Sequence, residues 1–303
     1  MLTAQVEHYL TVRRTLGFRL DRVAHRLHAF IRFAAARGDT HVRASTAVAW
    51  AAEAPSPAAR HVRLGEIRRL ARFVHADDPV HEIPPATLFP APKRRRLPYI
   101  YAPEELRALV AAAGRLRTTY PLRRQLYATL FGLIAATGLR ISEALDLRLD
   151  DVLPDGVLHV RRTKFGKSRL IPLHPTVVAA LRRYLALRGR QAVPDDHVFL
   201  SAGNRRIAAS TINDTFHRTL HLAGIAPDRH PRPRIHDLRH TVATRALQQC
   251  ATCREAVARH VVALATYLGH ADIADTYWYL EATPELLADM AAAAEALVAK
   301  EET

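Results

Sequence analysis

Apolar residues recur at helical spacing through the first eighty positions. Leu2, Val6, Tyr9 and Leu10 share one face of a helix that ends near Gly17. Over 21–37 the positions Val23, Leu27, Phe30, Ile31 and Ala34 repeat the spacing, with Gly38 as the stop. A third helix is expected to start after Ser45 or Thr46, whose hydroxyls suit an N-cap. A fourth follows Pro57 and carries Ile67, Leu70, Ala71 and Val74 on one face. The pattern predicts a compact helical unit over 1–88. Between 79 and 98 it dissolves into Pro79, Pro84, Pro85, Pro90, Pro92 and Pro98, with Lys93-Arg94-Arg95-Arg96 embedded, which predicts an extended basic linker over 89–100.

The second unit is expected over 101–303. It opens on Ala102-Pro-Glu-Glu-Leu106, a helix start with acidic residues in the first turn. An apolar helix over 121–137 is broken by Gly138. Asp155-Gly156 then turns the chain into a strand from Val157 to Thr163, a tight connection at Lys164-Phe-Gly-Lys167 and a second strand from Ser168 to Leu173. From Pro175 onward helices return, with loops around 190–206 and 224–235 and a last helix over 284–300. The fold class is therefore mainly α with a small antiparallel β-sheet.

Composition narrows the partner. Lys plus Arg outnumber Asp plus Glu by 44 to 29, a formal charge of +15, which favours a polyanion held by phosphate contacts and counterion release. Double-stranded DNA is the leading candidate. Arg63, Arg68, Arg69 and Arg72 give the fourth helix a basic face; Arg68, Arg69, Arg72, Lys93, Arg94, Arg95, Arg96, Arg161 and Lys167 are the candidate backbone contacts, although a solvated basic face would have the same composition. No apolar run approaches the roughly 18 residues of a spanning helix and no signal-peptide core is present, so a cytoplasmic, nucleoid-associated protein is expected. Cys250 and Cys253 stand alone, without a second pair at zinc-finger spacing. A histidine-rich metal site finds no ligand spacing to support it, and no metal or cofactor is expected.

Lysine is scarce: Lys93, Lys164, Lys167 and Lys300 are the four in the chain. One that survives in a hairpin amid arginines invites a chemical reason. Arginine holds its proton too tightly to act as a general acid, whereas lysine can release one. Arg140 stands at the start of a helix through Ile141, Ala144 and Leu145, where a phosphate would also meet unpaired backbone N–H groups. His236 and Arg239, three apart, share a helix face behind Pro231 and Pro233. Arg140 and Arg239 could clamp one phosphate from two sides, each guanidinium offering a planar fork. A tyrosine nucleophile, with an ordinary pKa of about 10, would need the help of such cations and of the histidines. Tyr277 and Tyr279 both stand as candidates on these grounds, with Tyr267 more distant.

These residues lie within Ala136-Thr-Gly-Leu-Arg-Ile-Ser-Glu143, His236-Asp-Leu-Arg-His240, Leu268-Gly-His270 and Thr276-Tyr-Trp-Tyr279. Their order over 101–290 resembles the tyrosine recombinase, or phage integrase, family. The resemblance implies an active site of Arg140, Lys164, His236, Arg239, His270 and Tyr279, with the distance from His270 selecting Tyr279 over Tyr277. It implies a 3'-phosphotyrosyl intermediate, Lys164 as general acid to the departing 5'-oxygen, and Glu143 as a buttress of the arginines. It further implies a helical core-binding domain of SAM-like type and a catalytic domain forming a C-shaped clamp on DNA, no ATP or metal, a dimer on each site, a tetrameric synapse with a Holliday junction, and possible accessory recombination proteins. Integration, excision or transposition of a mobile element is the expected function. A type IB topoisomerase and a non-catalytic DNA-binding relative are the rival readings. One departure is a longer stretch between Arg239 and His270, around Gln248-Gln-Cys-Ala-Thr-Cys253.

Overall fold

The structure is a computed structural model and describes residues 2–18, 20–90, 96–118, 120–161, 168–189, 194–249, 254–270, 272 and 276. The chain divides into two compact units, Met1–Arg96 and Leu97–Thr303, and each has a core of its own.

The first unit holds α1 (Leu2–Thr15), α2 (Asp21–Ala35), α3 (Ala44–Ala52) and α4 (Pro57–Asp77). The residues buried on α1 are those its spacing predicts, Leu2, Val6, Tyr9 and Leu10. On α2 the buried stripe runs through Ala24, Leu27, Phe30 and Ala34. Helix α4 starts as proline placement requires: Ser56 Oγ accepts from the Ala59 N–H at 3.2 Å and Pro57 takes the first helical position. Helix α3 departs from expectation. It begins at Ala44, one or two residues before the expected caps, so Ser45 and Thr46 lie in its first turn. The cap is supplied from afar, since the Ala44 N–H donates to Glu82 Oε2 at 2.7 Å, and Thr46 Oγ1 instead donates to Asp39 at 2.6 Å.

Inside this unit Glu66 on α4 is buried and accepts a two-pronged grip from Arg26 of α2, Nε to Oε2 at 2.6 Å and Nη2 to Oε1 at 2.5 Å. His81 is fully buried, its Nδ1 accepting from the Val42 N–H at 3.0 Å. Arg63, counted in the basic face, donates to the Trp50 carbonyl at 3.3 Å and lies over the indole. Arg69 and Arg72 are exposed and Arg68 is half-buried. Phe89 packs against this core and its carbonyl lies 2.7 Å from His61 Nδ1. Lys93, Arg94 and Arg95 lie outside the described residues.

The second unit holds α5 (Pro103–Gly114), α6 (Pro121–Thr137), α7 (Ile141–Asp146), β1 (Val157–Val160), β2 (Arg169–Pro172), α8 (Pro175–Gly189), α9 (Ala209–Leu222), α10 (Ile235–Gln248) and α11 (Arg254–Leu268). Helix α6 is central: Leu130, Phe131, Leu133 and Ile134 are buried, and Phe131 meets Phe216 of α9 edge-on at 5.3 Å. Each such side chain contributes about 1.5–3 kcal/mol through burial. Among the described residues the sheet is a single antiparallel pair, in register from Val157 opposite Pro172 to Val160 opposite Arg169. The entry to the unit is tied to α10, where the Tyr101 N–H donates to Thr241 Oγ1 at 3.0 Å and Arg245 reaches the Tyr101 carbonyl. No helix among the described residues is long and apolar enough to cross a membrane. Lys164, Lys167, Cys250, Cys253, Tyr277, Tyr279 and the helix expected over 284–300 lie outside the described residues.

Candidate active site

One local device repeats at the helix starts of the second unit. The third residue of the helix is acidic, and its carboxylate accepts the backbone N–H of the residue before the helix. Glu105 takes the Ala102 N–H at 2.8 Å, Glu143 the Arg140 N–H at 3.1 Å and Asp237 the Arg234 N–H at 2.8 Å. The last two fix where α7 and α10 begin, and therefore where Arg140 and His236 stand. Gly138 ends α6 with φ +65°, a conformation that side chains disfavour, and a Cβ there would lie 3.0 Å from Leu268 of α11.

The end of α11 gathers the arginines. Arg239 of α10 donates Nη1–H to the Gly138 carbonyl and Nη2–H to the Leu268 carbonyl, both at 2.7 Å. Arg140 donates Nη2–H to the next carbonyl along, Gly269, at 3.0 Å, and Nη1–H to Glu143 Oε1 at 2.7 Å. Two guanidinium groups thus hang from consecutive carbonyls at the C-terminal end of one helix, where partial negative charge accumulates. Their exposure differs. The Arg140 side chain is 26% exposed, whereas Arg239 is 1% exposed and sits behind it.

Three histidines complete the cluster. The rings of His236 and His240, one turn apart on α10, meet edge-on at 4.8 Å. Lost hydration, then the charges of Arg239 and Arg234, push His236 down to about 4. Lost hydration, then His236 and the neighbouring arginines, push His240 down to about 3. His236 is open to solvent at the mouth of the site while His240 is buried, so water tempers the shift more in His236. Both imidazoles are neutral at pH 7. His270 follows the left-handed Gly269, its N–H bonded to the Ala265 carbonyl at 2.9 Å, and its Nδ1 lies 2.6 Å from Thr276 Oγ1. Glu143 would be raised by burial, but hydrogen bonds and charge from Arg169, then Arg140, outweigh this and hold its carboxyl below the usual range.

A cluster of cations and neutral imidazoles around one helix end suits a phosphodiester. Residues 100–285 match the phage integrase family model. The chain belongs to the phage integrase family, the tyrosine recombinases. Its relatives include the integrase/recombinase candidate y4rB of Sinorhizobium fredii, 39% identical over 93% of each chain. The tyrosine recombinase XerD of Caulobacter vibrioides is 34% identical over 77% of this chain and 73% of its own. Among solved structures, a lambda integrase tetramer bound to a Holliday junction aligns with TM-score 0.62 at 16% identity, covering 92% of this chain and 76% of that one. XerH recombinase bound to palindromic difH substrate aligns with TM-score 0.61 at 18% identity, over 90% and 78%. At such identities these structures speak for the fold, which is the one that the sequence pattern implies. The activity is that of the family, site-specific DNA recombination by cleaving and rejoining strands; the topoisomerase and binding-only readings are not favoured.

In this recombinase the structure brings together four of the residues named from sequence, Arg140, His236, Arg239 and His270, with Glu143 beneath them. Lys164 and Tyr279 lie outside the described residues. Arg161, named as a backbone contact, has its Nε 2.5 Å from Asp151 Oδ1 while staying half-exposed. Arg96 is half-buried. Sequence reasoning missed Arg169 of β2, which bonds Glu143 through both terminal nitrogens and the Tyr267 carbonyl through Nε at 2.7 Å. It also missed His240 as a wall of the His236 site. Their signal, a charge on a short strand and a second histidine one turn on, is too common to single them out. Elsewhere among the described residues, Asp195, Asp196 and His197 form one group with converging donor atoms, but Asp196 is paired with Arg148 at 2.5 Å and Asp195 with His197 at 2.6 Å.

Proposed function

We propose that strand cleavage runs through Tyr279 at the Arg140, His236, Arg239 and His270 cluster. The tyrosine oxygen bonds to phosphorus as the bond from phosphorus to the 5'-oxygen breaks. The phenol proton passes to neutral His236, and Lys164 gives a proton to the departing 5'-oxygen, leaving a 3'-phosphotyrosyl link and a free 5'-hydroxyl. Attack by another strand's 5'-hydroxyl reverses the step and rejoins the DNA. The link conserves the phosphoester, so rejoining needs no nucleotide hydrolysis. Arg140 and Arg239 oppose the charge that grows on the non-bridging oxygens. The single observation that carries this reading is the pair of donations from Arg140 and Arg239 to the adjacent carbonyls of Gly269 and Leu268. It is supported by the placement of His236 on α10, where its ring meets His240 at 4.8 Å and lies in the field of Arg239 and Arg140.

Around this centre, Arg68, Arg69, Arg72 and the 93–96 run contact the DNA backbone. Two protomers occupy one site and four form the synapse, a reading supported by lambda integrase structures of a dimer bound to a COC' core site and of a tetramer bound to a Holliday junction. Accessory recombination proteins and residence on the nucleoid belong to the same reading, and the DNA it serves is a mobile element. Incubating the protein with nicked duplexes carrying the ends of its own element, then resolving covalent adducts on a denaturing gel, tests it. An adduct from the unmodified protein and from Tyr277→Phe, but not from Tyr279→Phe, is expected. An adduct that survives Tyr279→Phe and vanishes with Tyr277→Phe would refute the nucleophile.

A further inference from the structure

Glu143 serves two guanidinium groups at once. Arg140 gives it Nη1–H at 2.7 Å and a backbone N–H at 3.1 Å. Arg169 gives it a parallel fork, Nη1 to Oε1 at 3.3 Å and Nη2 to Oε2 at 2.8 Å. The Arg169 side chain is 9% exposed and its Nε–H donates to the Tyr267 carbonyl at 2.7 Å. Its guanidinium also fills the space beside Gly269, where φ is +68° and a Cβ would lie 2.6 Å from Arg169 Nη1 and 3.0 Å from Cζ. The Gly269 carbonyl is in turn an acceptor for Arg140. Arg169 therefore touches both groups that aim Arg140, the carboxylate and the turn.

The charges give this arrangement a consequence. A carboxylate shared with one guanidinium makes a neutral pair, while one shared between two leaves a positive charge over. A phosphate approaching the partly open Arg140 then meets a cation whose carboxylate partner is already occupied from behind. We propose that Arg169 is a positioning residue for strand cleavage. By taking up Glu143 and bracing the Gly269 turn, it leaves the charge of Arg140 available to the scissile phosphate without touching that phosphate. The inference rests on the reading of Arg140 as a phosphate ligand.

The test measures single-turnover adduct formation on a nicked duplex that the unmodified protein cleaves, with DNA affinity and thermal unfolding followed in parallel. Arg169→Met should slow the adduct roughly tenfold to a hundredfold, less than the ~10²–10³ of losing a donor that meets the charge directly. DNA affinity should change within about threefold, since the loss falls on the transition state. Arg169→Lys, which keeps the charge and loses the fork, should fall between. Joining Glu143→Gln to Arg169→Met should recover part of the rate, because no unbalanced carboxylate remains to hold Arg140. A purely structural Arg169 would make the double variant slower than either single one. Unchanged cleavage by Arg169→Met, or a double variant no faster than Arg169→Met, overturns the inference. If Arg169→Met does not fold, Arg169→Gln with and without Glu143→Gln makes the same comparison. No adduct from the unmodified protein would instead overturn the reading of the site itself, and this inference with it.

Discussion

Each unit of this recombinase contains a buried glutamate gripped by an arginine fork, and the two clusters differ in how the charges add up. In the first unit the ion-pair partner of Glu66 among the described residues is Arg26, oxygen for nitrogen on both prongs. The pair is balanced, and what it does is join α2 to α4. In the second unit Glu143 is divided between Arg140 and Arg169, with Arg239 and His236 alongside. Among the described residues of that cluster the positive charge exceeds the negative, an arrangement that suits an anion. The same pair of residue types is scaffold in one place and, in the function proposed above, chemistry in the other. What separates them is the count of cations per carboxylate and the nearness of a helix end that holds them apart.

The largest effect should come from the covered arginine of the unbalanced cluster. Arg239→Gln is expected to lower single-turnover cleavage by at least ~10², and a variant that folds and cleaves at the unmodified rate would place the phosphate away from α10. A smaller effect should separate the units by pH. Burial lowers the folded-state pKa of His81 in the first unit and of His240 in the second. A histidine so shifted binds its proton more readily in the unfolded chain. Stability is therefore full above the unfolded pKa of about 6.5 and is lost as pH falls from there toward the folded value. The Glu143 carboxyl, also lowered, is lost only below its ordinary range and does not enter this window. Thermal unfolding should thus shift down between pH 6.5 and 4.5. His240→Gln should flatten the profile of the second unit, and an unchanged slope in that variant would mean that His240 carries its proton in the folded state.

The chain disclosed its helices because their cores are periodic, and the buried positions of α1 follow directly from spacing. The start of α3 was not legible, since its cap is Glu82, far along the sequence. In the site, Arg140, His236, Arg239 and His270 could be read from motifs whose order resembles a family. The burial of Arg239 could not, because its acceptors are carbonyls at Gly138 and Leu268, separated from it by 101 and 29 residues. Arg169 was silent for the same reason. On a four-residue strand a charge signals little, and its partners Glu143 and Tyr267 come from elements on either side of it in sequence. Chemistry held by local motifs is written in order along the chain; chemistry held by the fold's closure is not.

The contrast between the two glutamates can be measured in one experiment. Arg26→Gln and Arg140→Gln each remove one guanidinium from a buried carboxylate, and single-turnover adduct formation is read at matched folded fraction on the same nicked duplex. Arg26 is about one-third exposed, so its loss should cost about 1–3 kcal/mol of stability, under the range for a fully buried pair, and leave the cleavage rate within about twofold. Arg140→Gln should lower that rate by ~10² or more. A cleavage defect in Arg26→Gln equal to that of Arg140→Gln, or none in Arg140→Gln, would contradict the account.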